Sequence, residues 1–262
     1  MDAAWPAPDR ELSGGWVLRA AGGVTQRANS IWPRSEPAGT RVERLAALRV
    51  ARAWYRGRRL PVIFQVFDTP GSAALNAVLD EEGFTRQSET LIMMGGADTV
   101  PGGGDSAGAR AGVEITDHPS AEWLELWWSV DGRGGAAELE TARAILTGCP
   151  ALYALVRDDG GRPAAVGRLA LVPGRTVVPG TGVSWGGLYC MATRPDARRR
   201  GYAARIQQAL ISAGAEQGLA GYWLLVMASN TAARELYSRA GFREVSRYYY
   251  RQERPRRSLT GC

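Results

Sequence analysis

Two short stretches of this chain carry residue types and spacings that could do chemistry. In the first, Arg198-Arg199-Arg200-Gly201-Tyr202-Ala203, three consecutive cations precede the small residues Gly201 and Ala203. The apolar run Gly187-Leu188-Tyr189-Cys190-Met191-Ala192-Thr193 ahead of it predicts a buried strand. Arg194-Pro195-Asp196-Ala197 ends that strand, because proline has no N–H to give to a ladder. Beyond Gly201, Ala203, Ala204, Ile206, Gln207, Leu210 and Ile211 recur at helical spacing. The motif therefore sits at a strand-to-helix junction, where unpaired amides and the helix dipole attract phosphate. Small residues there let a diphosphate approach the backbone. The pattern is neither G-x-x-x-x-G-K-(S/T) nor G-x-G-x-x-G, so ATP and dinucleotide readings find no residues to support them.

The second stretch follows another apolar strand, Tyr222-Trp223-Leu224-Leu225-Val226-Met227. Asn230 has the side chain of a helix N-cap. Ala233, Leu236, Tyr237 and Ala240 then line one helical face, and Gly241 supplies a left-handed C-cap. Taken singly, each stretch also fits a plainer reading: a capped surface helix behind arginines, and a core tyrosine on an amphipathic helix.

Together, one strand apart, the two stretches match R-x-x-G-x-(G/A) and N-x-x-A-x-x-L-Y-x-x-x-G-F. They resemble the two cofactor-handling motifs of the GNAT superfamily of acetyl-CoA-dependent N-acyltransferases, and the resemblance covers about residues 112 to 252. It implies that the backbone of Met191, Ala192 and Thr193 bonds the pantetheine arm as an added strand. It further implies that the amides of Arg199, Arg200, Gly201, Tyr202, Ala203 and Ala204 hold the pyrophosphate, with Arg198 opening the motif. Asn230 would contact the cofactor near its thioester arm, and Tyr237 would stand beside the sulfur. The implied reaction is direct attack of a neutral amine on the thioester, with a backbone amide stabilising the oxyanion. Tyr237, with an ordinary pKa of about 10, would protonate the departing thiolate as general acid. Cys190 then reads as a strand residue, not a nucleophile.

One departure from the family stands out. Many members carry a glutamate general base on the strand before the pyrophosphate loop, whereas Val183 to Thr193 contains no Asp or Glu. A water chain, Asp131, Glu122 or an already neutral amine could serve instead, and the base stays unassigned. His118, the single histidine, lies in Thr116-Asp117-His118-Pro119-Ser120, a helix N-cap context. Ser120 to Trp128 reads as a helix, which the resemblance places beside the acceptor groove, with Trp127 and Trp128 open to either a core or an acceptor-pocket role.

The chain has 262 residues, 45% hydrophobic and 22% charged, as in an ordinary soluble globule. No apolar run reaches the roughly 20 residues of a membrane helix, and no signal-peptide layout opens it. Cys149, Cys190 and Cys262 have no metal-ligand spacing, so no metal and a cytoplasmic location are expected. The net charge of +6 is carried entirely by arginine, since the sequence contains no lysine. A GC-rich genome accounts for that; protection of an acylating enzyme from itself is the sharper alternative. Positive charge would help collect an anionic cofactor. Dispersed arginines with no recognition motif argue against nucleic acid.

The Gly-rich stretch Gly95 to Gly112 reads as a linker. The expected organisation is a front domain over 1–96, a linker over 97–112, a catalytic domain over 113–254 and a basic tail over 255–262. Aligning Gly83-Phe84 with Gly241-Phe242 pairs Val62–Val66 with Ala220–Leu224, Ala73–Glu81 with Thr231–Arg239, and Thr90–Met94 with Tyr248–Gln252. Ser72 stands where Asn230 does, and Leu79 where Tyr237 does. The fold class expected is α/β (α+β): tandem GNAT-like folds, each a mixed, mostly antiparallel sheet flanked by helices. The front copy would be degenerate and the rear copy would have splayed central strands. Trp16-Val17-Leu18-Arg19 and Arg27 to Pro33 also resemble the front part of two-domain actinobacterial GNAT proteins. The function expected is N-acetyl transfer from acetyl-CoA to a primary amine of a small molecule or peptide, by a monomer or homodimer. The alternatives are a non-catalytic acyl-CoA sensor and a protein lysine acyltransferase.

Overall fold

The structure is a computed structural model that describes residues 1–34, 39–97, 110–172 and 184–254. The basic tail and most of the expected linker lie outside the described residues. The chain divides into two compact units. The amino-terminal unit comprises Ala7–Thr90 with the chain from Ser246 onward, and the carboxy-terminal unit comprises Met1–Pro6 with Leu91–Val245. The first six residues and the end of the last strand therefore pack outside the segments in which chain order puts them.

In the amino-terminal unit, β1 (Asp9–Ser13), β2 (Trp16–Ala20) and β3 (Trp32–Pro33) form an antiparallel meander. Ile31 then bridges in parallel to β4 (Ile63–Phe67), accepting from Gln65 N and donating to Ile63 O. Between them runs α1 (Arg41–Gly57), started by a full capping box in which Thr40 and Glu43 satisfy each other's amides. After β4 come α2 (Ala73–Glu81) and β5 (Phe84–Gly96). The far end of β11 (Arg243–Glu253) inserts beside β4, with Tyr248 opposite Phe67 and Gln252 opposite Ile63. Trp16, Leu18, Ile31, Leu48, Tyr55, Phe64, Leu79, Phe84 and Tyr249 form the core. The tyrosine run 248–250 is buried in this unit.

In the carboxy-terminal unit, β6 (Val113–Thr116), β7 (Ala151–Arg157), β8 (Pro163–Val172) and β9 (Trp185–Thr193) are successively antiparallel. Helix α5 (Tyr202–Glu216) crosses from β9 to its parallel neighbour β10 (Gly221–Met227). The end of β5 flanks β10 on the other side. Helices α3 (Ala121–Asp131) and α4 (Ala136–Thr147) precede β7, and α6 (Thr231–Arg239) links β10 to β11. Strand–helix–strand–helix–strand thus occurs twice: β3-α1-β4-α2-β5, then β9-α5-β10-α6-β11. Beside the three-stranded meander, β4 to β11 make one mixed, mostly antiparallel sheet, and α2 and α6 have the bounds that the internal alignment paired.

Candidate active site

The site begins where β9 stops behaving as a regular strand. Val166 pairs with Ala192 and Arg168 with Tyr189, so Cys190 and Met191 together oppose the single residue Gly167. This is a β-bulge, and Cys190 within it takes a left-handed φ of 54°. Gly167 has no room for a side chain: a Cβ there would lie 2.5 Å from Ile206 Cγ2 and 2.7 Å from Met191 Sδ. The indole of Trp123 braces the bulge, donating to the carbonyls of Gly167 and Ala154. Bulges bend a strand, and the pairing of β9 with β10 ends at Leu188 opposite Leu224. Beyond that point the two parallel strands part, which is the splay expected of the rear copy. Met191, Ala192 and Thr193 lie on the parted segment of β9.

The arginine loop follows at the carboxyl end of β9. Arg194 clamps it, donating to Asp158 Oδ2 at 2.6 Å, Asp196 Oδ1 at 2.5 Å and the Pro163 carbonyl at 2.6 Å. Arg199 (φ 65°) and Gly201 (φ 82°) are both left-handed and bracket Arg200. Alternation of this kind turns successive amides toward one point. Helix α5 opens at Tyr202 without a side-chain cap, so the amides of its first turn, including those of Ala203 and Ala204, have no partner within the helix. A Cβ at Gly201 would meet nothing within 4 Å, so the space in front of the loop is open. Arg200 holds Asp159 at 2.9 Å in an exposed pair, the kind worth less than about 1 kcal/mol and easily exchanged for another anion. Arg198 turns back, its Nε donating to the Thr193 carbonyl at 3.3 Å. These donors suit a diphosphate.

At the same edge, after β10, Asn230 caps α6 as its residue type predicts, its Oδ1 accepting from Ala233 N at 3.1 Å. Its backbone N–H donates to the Met227 carbonyl, and its side-chain Nδ2 makes no hydrogen bond among the described residues. Tyr237 is the single buried residue of α6, 7% exposed, with its ring edge-on to Phe242. Its hydroxyl has no hydrogen-bond partner among the described residues. Burial, reinforced by the charge of Asp131, holds its phenol well above the ordinary value, so it stays protonated through neutral pH.

Asp131, the last residue of α3, thus shares a field with Tyr237, and it is also acted on by Arg133 and Arg198. Nearby protein raises its carboxyl's pKa despite those cations, although the residue itself is exposed. It forms no ion pair among the described residues and sits at the negative end of a helix dipole. Glu122, the other carboxylate considered from the sequence, is engaged by Arg157 at 2.6 Å, which lowers its pKa. His118 is 75% exposed on Asp117, just ahead of the Ser120 cap. Trp127 is buried and packs between Trp123 and Trp128 with its ring tilted to both. Sequence reasoning did not mark the Gly167 bulge or the Arg194 clamp. A glycine inside a strand is the one available signal for the first; nothing local announces the second.

A family model described as the carboxy-terminal part of the probable histone acetyltransferase Rv0428c matches residues 1–251. The chain belongs to this acetyltransferase family. It is 30% identical over 243 residues to the probable histone acetyltransferase Rv0428c of Mycobacterium tuberculosis, covering 92% of this chain and 68% of that one. It is 24% identical over 254 residues to the uncharacterized N-acetyltransferase YobR of Bacillus subtilis, covering 96% and 95%. Among solved structures, a tandem GNAT protein from the clavulanic acid biosynthesis pathway, determined without AcCoA, superposes with a TM-score of 0.57 at 15% identity, covering 80% and 70%. The protein is a GNAT N-acetyltransferase with a tandem fold.

Proposed function

We propose that the carboxy-terminal unit transfers an acetyl group from acetyl-CoA to a primary amine, with Tyr237 as general acid and Asp131 as general base. The observation that carries this reading is the parting of β9 and β10 beyond Leu188 and Leu224, with the α5 loop and α6 both starting from that edge. Ligands of α/β sheets bind at such carboxyl edges. The donor, when bound, supplies a thioester carbonyl and a thiolate leaving group. Met191, Ala192 and Thr193 offer strand-edge groups to its arm, and the amides from Arg199 to Ala204 offer a cradle to its diphosphate. Tyr237 keeps a proton for the leaving sulfur. Asp131, with its raised carboxyl pKa and no salt bridge among the described residues, takes one from the substrate ammonium, and the neutral amine so formed attacks the thioester.

The amino-terminal unit is read as a degenerate copy. At the start of α1, the position matching the α5 cradle, the amides of Thr40 and Glu43 are already used by the capping box, which sets a carboxylate against the helix start. Leu79 and Ser72 occupy the places of Tyr237 and Asn230. This unit neither holds nor turns over the donor.

Small-molecule amines are the favoured acceptors; the name of the mycobacterial relative supports a peptide lysine as the second reading. The test is release of free CoA thiol from acetyl-CoA against a panel of small amines and lysine peptides. Release that requires an amine and falls sharply in Tyr237→Phe supports the proposal. Tight acetyl-CoA binding without turnover on any amine would leave a sensor instead.

A further inference from the structure

The amino-terminal unit contains a cleft of about 530 Å³ that shares no residue with the proposed transfer site. It is lined by Arg52, Arg56 and Arg59 from α1 and the turn after it, by Leu60, Pro61 and Val62 leading into β4, and by Gln252, Glu253 and Arg254 at the end of β11. Arg52 is already neutralised, bonded to Glu82 at 2.8 Å and Glu253 at 2.7 Å. Those pairs also occupy the one carboxylate of the lining. Arg58 points elsewhere, with its guanidinium over Trp54 and bonded to Asp9. Arg56, Arg59 and Arg254 remain, and among the described residues their side chains make no ion pair and no hydrogen bond.

Three uncompensated guanidiniums around one concavity repel one another, and the charge of the last turn of α1 accounts only for Arg56. Arg59 is harder to explain by structure alone. It has φ 55°, the left-handed position after a helix that glycine or asparagine normally takes. The chain keeps an arginine there at a conformational cost. Guanidinium forks bind carboxylate and phosphate in paired fashion, and a cleft of this size suits a small molecule. Leu60, Pro61 and Val62 add an apolar floor.

We infer that this cleft binds a small multivalent oxyanion, a compound with two or three phosphate or carboxylate groups, through Arg56, Arg59 and Arg254. The cleft lies at the carboxyl end of α1, about 25 Å along a 17-residue helix from the capping box that matches the diphosphate cradle. It is therefore not a remnant of the donor site.

The experiment is isothermal titration calorimetry of the full chain with inorganic tripolyphosphate, and separately with citrate. A Gly201→Val variant removes binding at the α5 cradle, because a β-branched residue cannot hold φ 82°. Tripolyphosphate should bind this variant within twofold of the parent and should lose at least tenfold in affinity for Arg56→Gln/Arg59→Asn. Asparagine tolerates the left-handed position, and Arg254→Gln, outside any helix, should weaken binding without touching α1. Tighter binding of citrate than of tripolyphosphate would make carboxylates the ligand groups. Binding of neither anion, or binding abolished by Gly201→Val and indifferent to the arginine variants, overturns the inference and leaves the transferase reading standing.

Discussion

Replacing Tyr237 by Phe separates the chemistry of the site from its packing. The ring is buried against Phe242, and phenylalanine keeps every apolar contact it makes. The hydroxyl has no hydrogen-bond partner among the described residues, so its removal leaves no protein group stranded. The expected change in stability is less than about 1 kcal/mol. For a chain of this size that is a shift of roughly 2–4 °C at most in Tm. A positioned general acid contributes about 10²–10⁴ in rate, or roughly 3–5 kcal/mol of barrier. Thiol release at saturating acetyl-CoA and amine should therefore fall at least a hundredfold, while Tm and the Kd for acetyl-CoA hardly move. A kcat within threefold of the parent would refute the assignment of Tyr237. A loss of rate that merely tracks a loss of folded protein would refute the packing argument.

Asp131 offers a test by pH. Its raised carboxyl makes the folded state bind a proton more readily than the unfolded state, so this group lowers stability as pH rises above its ordinary value of 3.8. Asp131→Asn should be more stable than the parent at pH 7, by up to about 1 kcal/mol from relief of the helix-dipole conflict, and lose that advantage below pH 4, as thermal melts at the two pH values would show. The same variant should flatten the rise of kcat/KM with pH; an unchanged profile would remove Asp131 as base. Gly167→Ala should cost about 1–3 kcal/mol, since its Cβ would overlap Ile206 and Met191, and urea denaturation would measure it. It should also lower kcat by moving the bulge. Thr40→Ala should cost about 1 kcal/mol through loss of the α1 cap yet leave the KM for acetyl-CoA unchanged; a raised KM would show that the amino-terminal unit handles the donor after all.

Much of the local structure was legible because short-range interactions encode it. Apolar spacing of three and four marked α5 and α6, Ser120 and Asn230 announced the caps of α3 and α6, and Gly241 followed the end of α6 with a left-handed φ of 84°. The internal alignment at Gly83 and Gly241 found the duplicated strand–helix–strand order, because a repeated fold keeps its anchoring turn even where the residues around it differ.

The order of residues along this chain determined which two motifs it carries, their strand-to-helix setting and the loss of both in the front half. Those features depend on neighbours a few positions away. Tertiary structure alone decided that β9 bulges at Cys190 and leaves β10 after Leu188, because register emerges from packing of Gly167 against Ile206 and Trp123 across tens of residues. It alone decided that Met1–Pro6 belongs with the carboxy-terminal unit, where the buried Arg168 donates to the Ala4 carbonyl at 3.0 Å. And it alone set Asp131 within the field of Tyr237, since a carboxylate's solvation and the charges it feels are properties of the folded surroundings and have no signature in its own sequence neighbourhood.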